Sequence, residues 1–316
     1  MQPEISVVIS TYNRRDSLQR TIESILGQTS APPYELIVVD NRSTDGTSEL
    51  IRSCAANVNC VRYVFEEKQG VSHGRNAGVA AARAPLIAFT DDDVTVNSNW
   101  LATMKAAFDA HPECGCAGGK VLAVWPHTPP AWLTEKHWAP LALLDYGAAQ
   151  KLNARNRKCL ITANMGMRRE SFERTGGFRA DFQKTAGSTC SMEDRELQER
   201  YWQTGGECWF DPAIVVRAQV QAFRMEKEYH RRWHFSHGEL HALLRDPEFE
   251  RSTIRLFDIP GHVLRRAATE RLEMVYNKLR LRPERAFEHE MEGVFFTGFI
   301  RKRFRQQRFS PKTAAS

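Results

Sequence analysis

An α/β fold with a mostly parallel sheet and helices on both faces is predicted by three features of the first hundred residues. Apolar, β-branched runs recur at residues 5–9, 36–39, 61–65 and 86–90. The stretches between them carry helical periodicity. Polar or acidic residues close three of the runs, at Ser10-Thr11-Tyr12, at Asp40 and at Asp91-Asp92-Asp93. Strand–helix repetition at this spacing builds βαβ units. Ligands of such sheets bind beyond the carboxyl ends of the strands.

Ile5–Ile9 reads as a buried parallel strand. Asp16 suits the cap of the following helix, with Gln19 three residues later as in a capping box. Leu18, Ile22, Ile25 and Leu26 share one face, and Gly27 suits the stop. Leu36–Val39 is a second strand ending at Asp40. Asn41–Gly46 is turn chemistry, and a short helix runs from Thr47 to about Cys54. Val61–Phe65 is a third strand. Gly74 to Ala82 reads as a helix, which Arg75 and Asn76 begin. Leu86–Thr90 is the fourth strand and runs into the aspartates.

Composition sets the class. With 316 residues and 42% hydrophobic content, the chain can bury an α/β core plus an appendage. No run approaches the ~18–20 apolar residues of a membrane span. The chain enters its first strand directly, without a basic-then-apolar leader pattern, so a cytoplasmic protein is expected. Seven scattered cysteines, an odd number, fit reduced thiols. Cys114-Gly-Cys116 lacks a second pair at zinc-site spacing. From His262 to Ser316 there are 13 Lys/Arg against 6 Asp/Glu, or +7, whereas the whole chain is +6. Residues 1–261 therefore sum to −1, and the main body makes no electrostatic case for nucleic acid.

The aspartate run carries the most chemistry. Like charges at ~4 Å repel by about 4 kcal/mol at an effective dielectric near 20, so three adjacent carboxylates invite a cation. Hard divalent cations use one or two carboxylates and complete their shell with phosphate oxygens. A turn of solvated acids is the other reading. Tyr12 can stack on a base or finish the core edge. Asp40 can accept from an imide or ribose, or cap a turn. Arg75 can meet a phosphate near a helix start or stay solvated. Glu193 and Asp194 open a helix, either as its electrostatic start or as a catalytic carboxylate pair.

These motifs together resemble the family-two inverting glycosyltransferases of the GT-A fold. The resemblance rests on Ser6–Asn13, Glu35–Asp40 with Ser43–Thr47, Arg75-Asn76 with Gly78, and Thr90–Asp93. It continues through Asn164–Arg168, Gly176-Gly177-Phe178 and Glu193-Asp194 to about residue 240, three quarters of the chain. It implies a non-processive, hexosyl-type transferase using a nucleotide-sugar donor. Ser10, Thr11, Tyr12 and Asp40 would hold the nucleobase, usually uracil, with Arg75 and Asn76 toward the phosphates. Asp91 would face the ribose. Asp93, with Asp91, would bind Mn²⁺ or Mg²⁺ bridging the diphosphate, with Asp92 as an alternative ligand. Asp194 would be the general base, with Glu193 beside it and a mobile Gly187-Ser-Thr before it. Relatives often carry a histidine after the Asp-Pro turn. Asp211-Pro212 is followed by none, which leaves the third metal ligand open.

Residues 121–158 are rich in aromatics and proline, suiting either acceptor stacking or a loop that packs its own rings. Trp132, Asn164 and Gly177 are acceptor-side candidates, and Arg231, Arg232 and His234 are candidates for the diphosphate. His230, His234, His237 and His241 share a helical face, interrupted by Gly238. The expected organisation is a catalytic domain over 1–245, split at 120/121, and a basic helical extension over 246–316. Met291 to Ile300 beside Arg301–Arg305 suits an interfacial helix on the inner membrane face, or a helix docked with a solvated basic side. The expected activity is metal-dependent transfer from a UDP-sugar to a glycan or lipid-linked acceptor hydroxyl, in cell-envelope polysaccharide or glycolipid synthesis. The rivals are a sugar-nucleotide nucleotidyltransferase, which would want a Gly-rich loop after the first strand, and a non-catalytic binding subunit.

Overall fold

The computed structural model describes residues 2–183 and 188–309, so Gly187 of the expected mobile stretch lies outside the described residues. The chain divides into two compact units. The first comprises 1–128, 135–183 and 193–221; the second gathers 129–134, the stretch up to Met192, and the chain from Ala222 onward.

In the first unit the order is β1 (Ile5–Thr11), α1 (Arg15–Leu26), β2 (Tyr34–Asp40), α2 (Thr47–Asn57), β3 (Val61–Phe65), α3 (Val71–Ala81), β4 (Leu86–Phe89), β5 (Val94–Val96), α4 (Trp100–Ala110), β6 (Cys116–Val124), β7 (Gln150–Leu152), β8 (Met165–Arg168), α5 (Arg169–Thr175), α6 (Glu193–Gln203) and β9 (Cys208–Gln219). Among the described residues these strands form one nine-stranded sheet, ordered β3-β2-β1-β4-β8-β6-β9-β5, with β7 also on β9. The four strands read from the sequence make its parallel half. Beyond β4 the sheet is mixed, because β8 lies antiparallel between β4 and β6. Side chains alternate across a strand, yet Val7, Val8 and Ile9 are all fully buried, so both faces of the sheet are covered.

Two helix starts differ from expectation. Arg14 occupies the cap of α1 without a side-chain hydrogen bond, and Asp16 falls in the first turn. Helix α3 begins at Val71, not at Gly74, after Gly70 at φ +135°. Arg75 and Asn76 therefore sit in its second turn. Gly74 and Gly78 lie one turn apart and face β1: a Cβ on the first would overlap Ser10 Oγ, and on the second Val8 Cγ1. This close seat aims Arg75 at the carboxyl edge.

The second unit contains α7 (Lys227–Leu244), α8 (Pro247–Glu250), the small hairpin β10 (Arg255–Leu256) and β11 (Ile259–Pro260), α9 (Gly261–Leu279) and α10 (Pro283–Phe309). Helices α7 and α10 cross at two reciprocal glycines. A Cβ on Gly238 would overlap the carbonyl of Phe295, and one on Gly298 that of Phe235. This backbone contact groups α7 with the C-terminal helices, so the break falls at 221/222, whereas the expected boundary at 245/246 lies inside the unit. Phe295, Phe296 and Phe299 are buried with Ala242, Phe249 and Val263. The rings of 291–300 pack within the second unit, and of the basic run beside them Arg303 is buried and not solvated. The histidine stripe becomes a hydrogen-bonded chain. His237 Nε2 lies 3.1 Å from His241 Nε2, and His241 Nδ1 lies 3.0 Å from Asp246, which also caps α8. All seven cysteines are free.

Candidate active site

The parallel register places Thr11 of β1 beside Asp40 of β2, and β4 ends one residue before Thr90 and the aspartates. All of these sit at the carboxyl edge of the first unit's sheet. Each aspartate has a different partner. Asp91 accepts from Arg75 Nη2 at 2.9 Å, Asp92 from Thr11 Oγ1 at 2.7 Å, and Asp93 from Arg14 Nη1 at 2.9 Å. Burial first, then the charge of Asp93, pushes the Asp92 carboxyl up to about 7. Burial disfavours the charge of Arg14, but Asp92, Asp93 and then Asp91 hold its guanidinium above its ordinary value. Arg14 is thus a second cation facing the run beside Arg75, a role that the Arg14-Arg15 pair after the first strand hinted at.

Arg75 joins this cluster to a second one. Its Nη1 donates to Glu193 Oε1 at 2.6 Å, and both side chains are buried. The other oxygen, Glu193 Oε2, is buried with no hydrogen-bond partner among the described residues. Burial opposes the Arg75 charge, and Asp91, Glu193 and Asp194 together outweigh it. Asp194, at the start of α6, accepts from the main-chain N–H of Arg195 at 2.7 Å. Burial first, and the Glu193 charge second, push its carboxyl up to about 7. The structure therefore brings together Thr11, Asp91, Asp92, Asp93, Arg75, Glu193 and Asp194.

Tyr12 is 47% exposed at the same edge, leaving its ring face accessible. Asp40 is not. It is 1% exposed and its oxygens accept from Ser43 N at 2.8 Å, from Ser48 Oγ and from Tyr63 OH at 3.3 Å. The geometry gives Asp40 the turn-cap role. Its neighbour Asn41, unremarked in the sequence, ties the loop before α3 through the carbonyls of Glu66 and Lys68 and the N–H of Gly70.

Several candidates have structural employment instead. Asn76 uses both side-chain polar atoms on the main chain of Phe178, at 2.8 and 2.9 Å, so it docks that loop. Asn164 is fully buried and pins three segments, accepting from Trp100 Nε1 at 2.8 Å and donating to the carbonyls of Lys120 and Ile214. It is an interior residue. Gly177, at φ +74°, offers its carbonyl to Arg200 at 2.6 Å. In the aromatic insert, Tyr146 packs edge-on against Phe210 at 5.2 Å. Within the second unit, Trp132 packs against His230 and Phe287, Arg231 pairs with Glu290 at 2.7 Å, Arg232 is exposed and His234 packs against Trp233.

Comparison with known proteins agrees with this architecture. The model of the family described as glycosyl transferase family 2 matches residues 6–176. The chain belongs to that family. Glucosyl-dolichyl phosphate glucuronosyltransferase of Haloferax volcanii is 23% identical over 231 residues, 72% of each chain. Validoxylamine A glucosyltransferase of Streptomyces hygroscopicus is 41% identical over 108 residues, 33% of this glycosyltransferase and 24% of that protein. The fold matches mannosyltransferase PcManGT of Pyrobaculum calidifontis, solved with GDP-Man and Mn²⁺, at a TM-score of 0.62 and 17% identity over 96% of this chain and 87% of that one. It also matches S. aureus TarS, solved with UDP, at 0.54 and 16% identity over 98% and 93%. The GT-A architecture follows, and family membership sets aside the nucleotidyltransferase and binding-subunit readings.

Proposed function

We propose that this glycosyltransferase transfers a sugar with inversion from a nucleotide-diphosphate donor, a UDP-sugar, to an acceptor hydroxyl, with a divalent cation at the aspartates. The observation that carries the reading is the Arg75 bridge, which gathers Asp91–Asp93 and Glu193-Asp194 at one sheet edge. The donor set fits Mn²⁺ or Mg²⁺. It offers hard carboxylate oxygens from Asp93 and Asp91, beside an Asp92 carboxyl that burial first, and the Asp93 charge second, push up to about 7. No three His, Cys, Asp or Glu side chains among the described residues form a ready-made cage. That suits an ion completed by substrate phosphates. When bound, the cation would offset charge on the departing nucleoside diphosphate.

Tyr12, with Ser10 and Thr11, would meet the nucleobase, and Asp40 would hold the turn beside it. Asp194 would take the proton of the acceptor hydroxyl as that oxygen attacks the anomeric carbon. A base with a pKa near the working pH is the efficient choice, worth typically 10²–10⁴-fold, and about 7 meets that condition. The relatives act on both lipid-linked and small-molecule acceptors by name, so a glycan or lipid-linked acceptor is proposed for this chain. Calorimetric titration with UDP, with and without Mn²⁺, tests the donor site in wild type and Asp93→Ala. Metal-dependent binding lost in the variant supports it. Binding of GDP and not UDP would overturn the uracil assignment, and binding of neither would overturn the donor site.

A further inference from the structure

Helix α9 exposes an apolar stripe that nothing among the described residues of its own unit covers. Leu272, Val275, Tyr276 and Leu279 recur at i, i+3, i+4 and i+7, the spacing of one helix face. They are exposed by 72%, 48%, 48% and 79%, and Leu281 just beyond the helix by 88%. The inward side of α9 is already used, by Val263 and Asn277, both buried, and by Glu270, whose carboxylate meets His289 at 2.7 Å. The helix therefore has two used sides, one packed into the fold and one apolar and exposed. Scattered exposed leucines need no explanation, but a contiguous stripe at one helical period does.

The charge around the stripe decides what covers it. From Gly261 to Arg285 there are seven Lys/Arg against three Asp/Glu, a net of +4. Arg265, Lys278, Arg280, Arg282 and Arg285 are all exposed. A second copy docking on this face would set +4 against +4. An anionic surface is matched in charge, and an apolar stripe edged by arginine and lysine is the pattern of a helix lying in a membrane interface. No helix among the described residues is long and apolar enough to cross a membrane. We infer that the α9 face, with the turn to α10, docks this protein on an anionic lipid surface, Leu272 and Leu279 entering the headgroup boundary. This moves the expected membrane contact away from the α10 rings, which are buried, and onto α9. It stands independently of the donor and metal assignments.

The test is sedimentation of the full chain with vesicles of neutral phosphatidylcholine and of the same lipid with about 30 mol% anionic phosphatidylglycerol. Binding should require the anionic lipid and weaken as salt rises from about 0.1 to 0.5 M, because exposed charges are screened. Each cation near the surface is worth roughly fivefold in partitioning. Arg280→Glu with Arg282→Glu should therefore lower binding by more than twentyfold, and Leu272→Glu with Leu279→Glu by at least tenfold. All four positions are exposed, so circular dichroism and UDP binding should stay unchanged. Three outcomes overturn the inference: no binding to anionic vesicles, undiminished binding by the leucine variant, or a wild-type dimer in light scattering that the leucine variant dissolves. The last would give the stripe to a second copy.

Discussion

Replacing Arg75 with methionine removes the one side chain that spans both acid clusters, and the structure fixes what that costs. Arg75 is 5% exposed and Glu193 4%, with 2.6 Å between their charged groups. Breaking a buried pair by deleting one partner leaves an uncompensated charge, which costs about 3–5 kcal/mol. The second pair, to Asp91, contributes less because that carboxylate is about a third exposed. Glu193 Oε2 already lacks a partner among the described residues, so none of them stands ready to take over. Urea unfolding followed by tryptophan fluorescence reads the effect, since Trp100 and Trp202 are buried in the same unit. The loss should be about 3–5 kcal/mol near pH 7. Adding Glu193→Leu should restore more than half of it, as a double-mutant cycle detects. A single-variant cost below about 1 kcal/mol, or additive losses in the double variant, would refute the reasoning.

Five further outcomes follow from the same geometry. The pH profile of kcat/KM should rise with a midpoint near 7 as Asp194 ionises, and Glu193→Gln should move that limb to lower pH by removing the neighbouring negative charge; an unmoved limb would point to another base. The same carboxyl holds its proton longer in the folded state than in the unfolded one, so its contribution to stability should fall as pH climbs from about 4 to 7. Asp93→Asn should weaken Mn²⁺-dependent UDP binding by ~100-fold or more, whereas Asp92→Asn should be milder, since an amide oxygen still accepts from Thr11. Asn164→Ala strands Trp100 Nε1 and two carbonyls, so it should cost about 3 kcal/mol in unfolding experiments with UDP affinity unchanged. Gly298→Val forces α7 and α10 apart and should destabilise the second unit by roughly 1–3 kcal/mol, seen as a lowered unfolding midpoint.

The parallel half of the sheet was legible because its strands are buried on both faces, so Ile5–Ile9 and Leu36–Val39 read as unbroken apolar runs. Strand β8 hid because Met165-Gly-Met-Arg168 is short and contains a glycine. That glycine is needed, since a Cβ on Gly166 would crowd Met104 and Phe108, and such packing leaves no local pattern. The same holds for the polar residues. Asp40, Asn76 and Asn164 stand in motifs beside the clustered acids, and only three-dimensional hydrogen bonding sets them apart from that cluster. Their side chains are consumed by the turn after β2, by the main chain of Phe178, and by Trp100 with two carbonyls. A motif marks a neighbourhood, and its members divide between those that hold the edge and those that face the ligand.

Charge counting explains why the edge is built this way. Five carboxylates, Asp91 to Asp93 with Glu193 and Asp194, meet two guanidinium groups, Arg14 and Arg75, in direct ion pairs. The deficit falls on the two acids without an arginine contact of that kind, and these two, Asp92 and Asp194, are pushed up to about 7. A structural network would gain by pairing each acid, as Glu35 shows elsewhere in the sheet, where Arg62 and Arg83 serve one carboxylate. An acid surplus kept at the edge where three strands end is a cost to folding, and on the proposed reading a cation-carrying substrate would remove it. On the proposed reading, Arg75 makes that arrival felt at both clusters, because the side chain that steadies Asp91 also sets the charge beside Asp194.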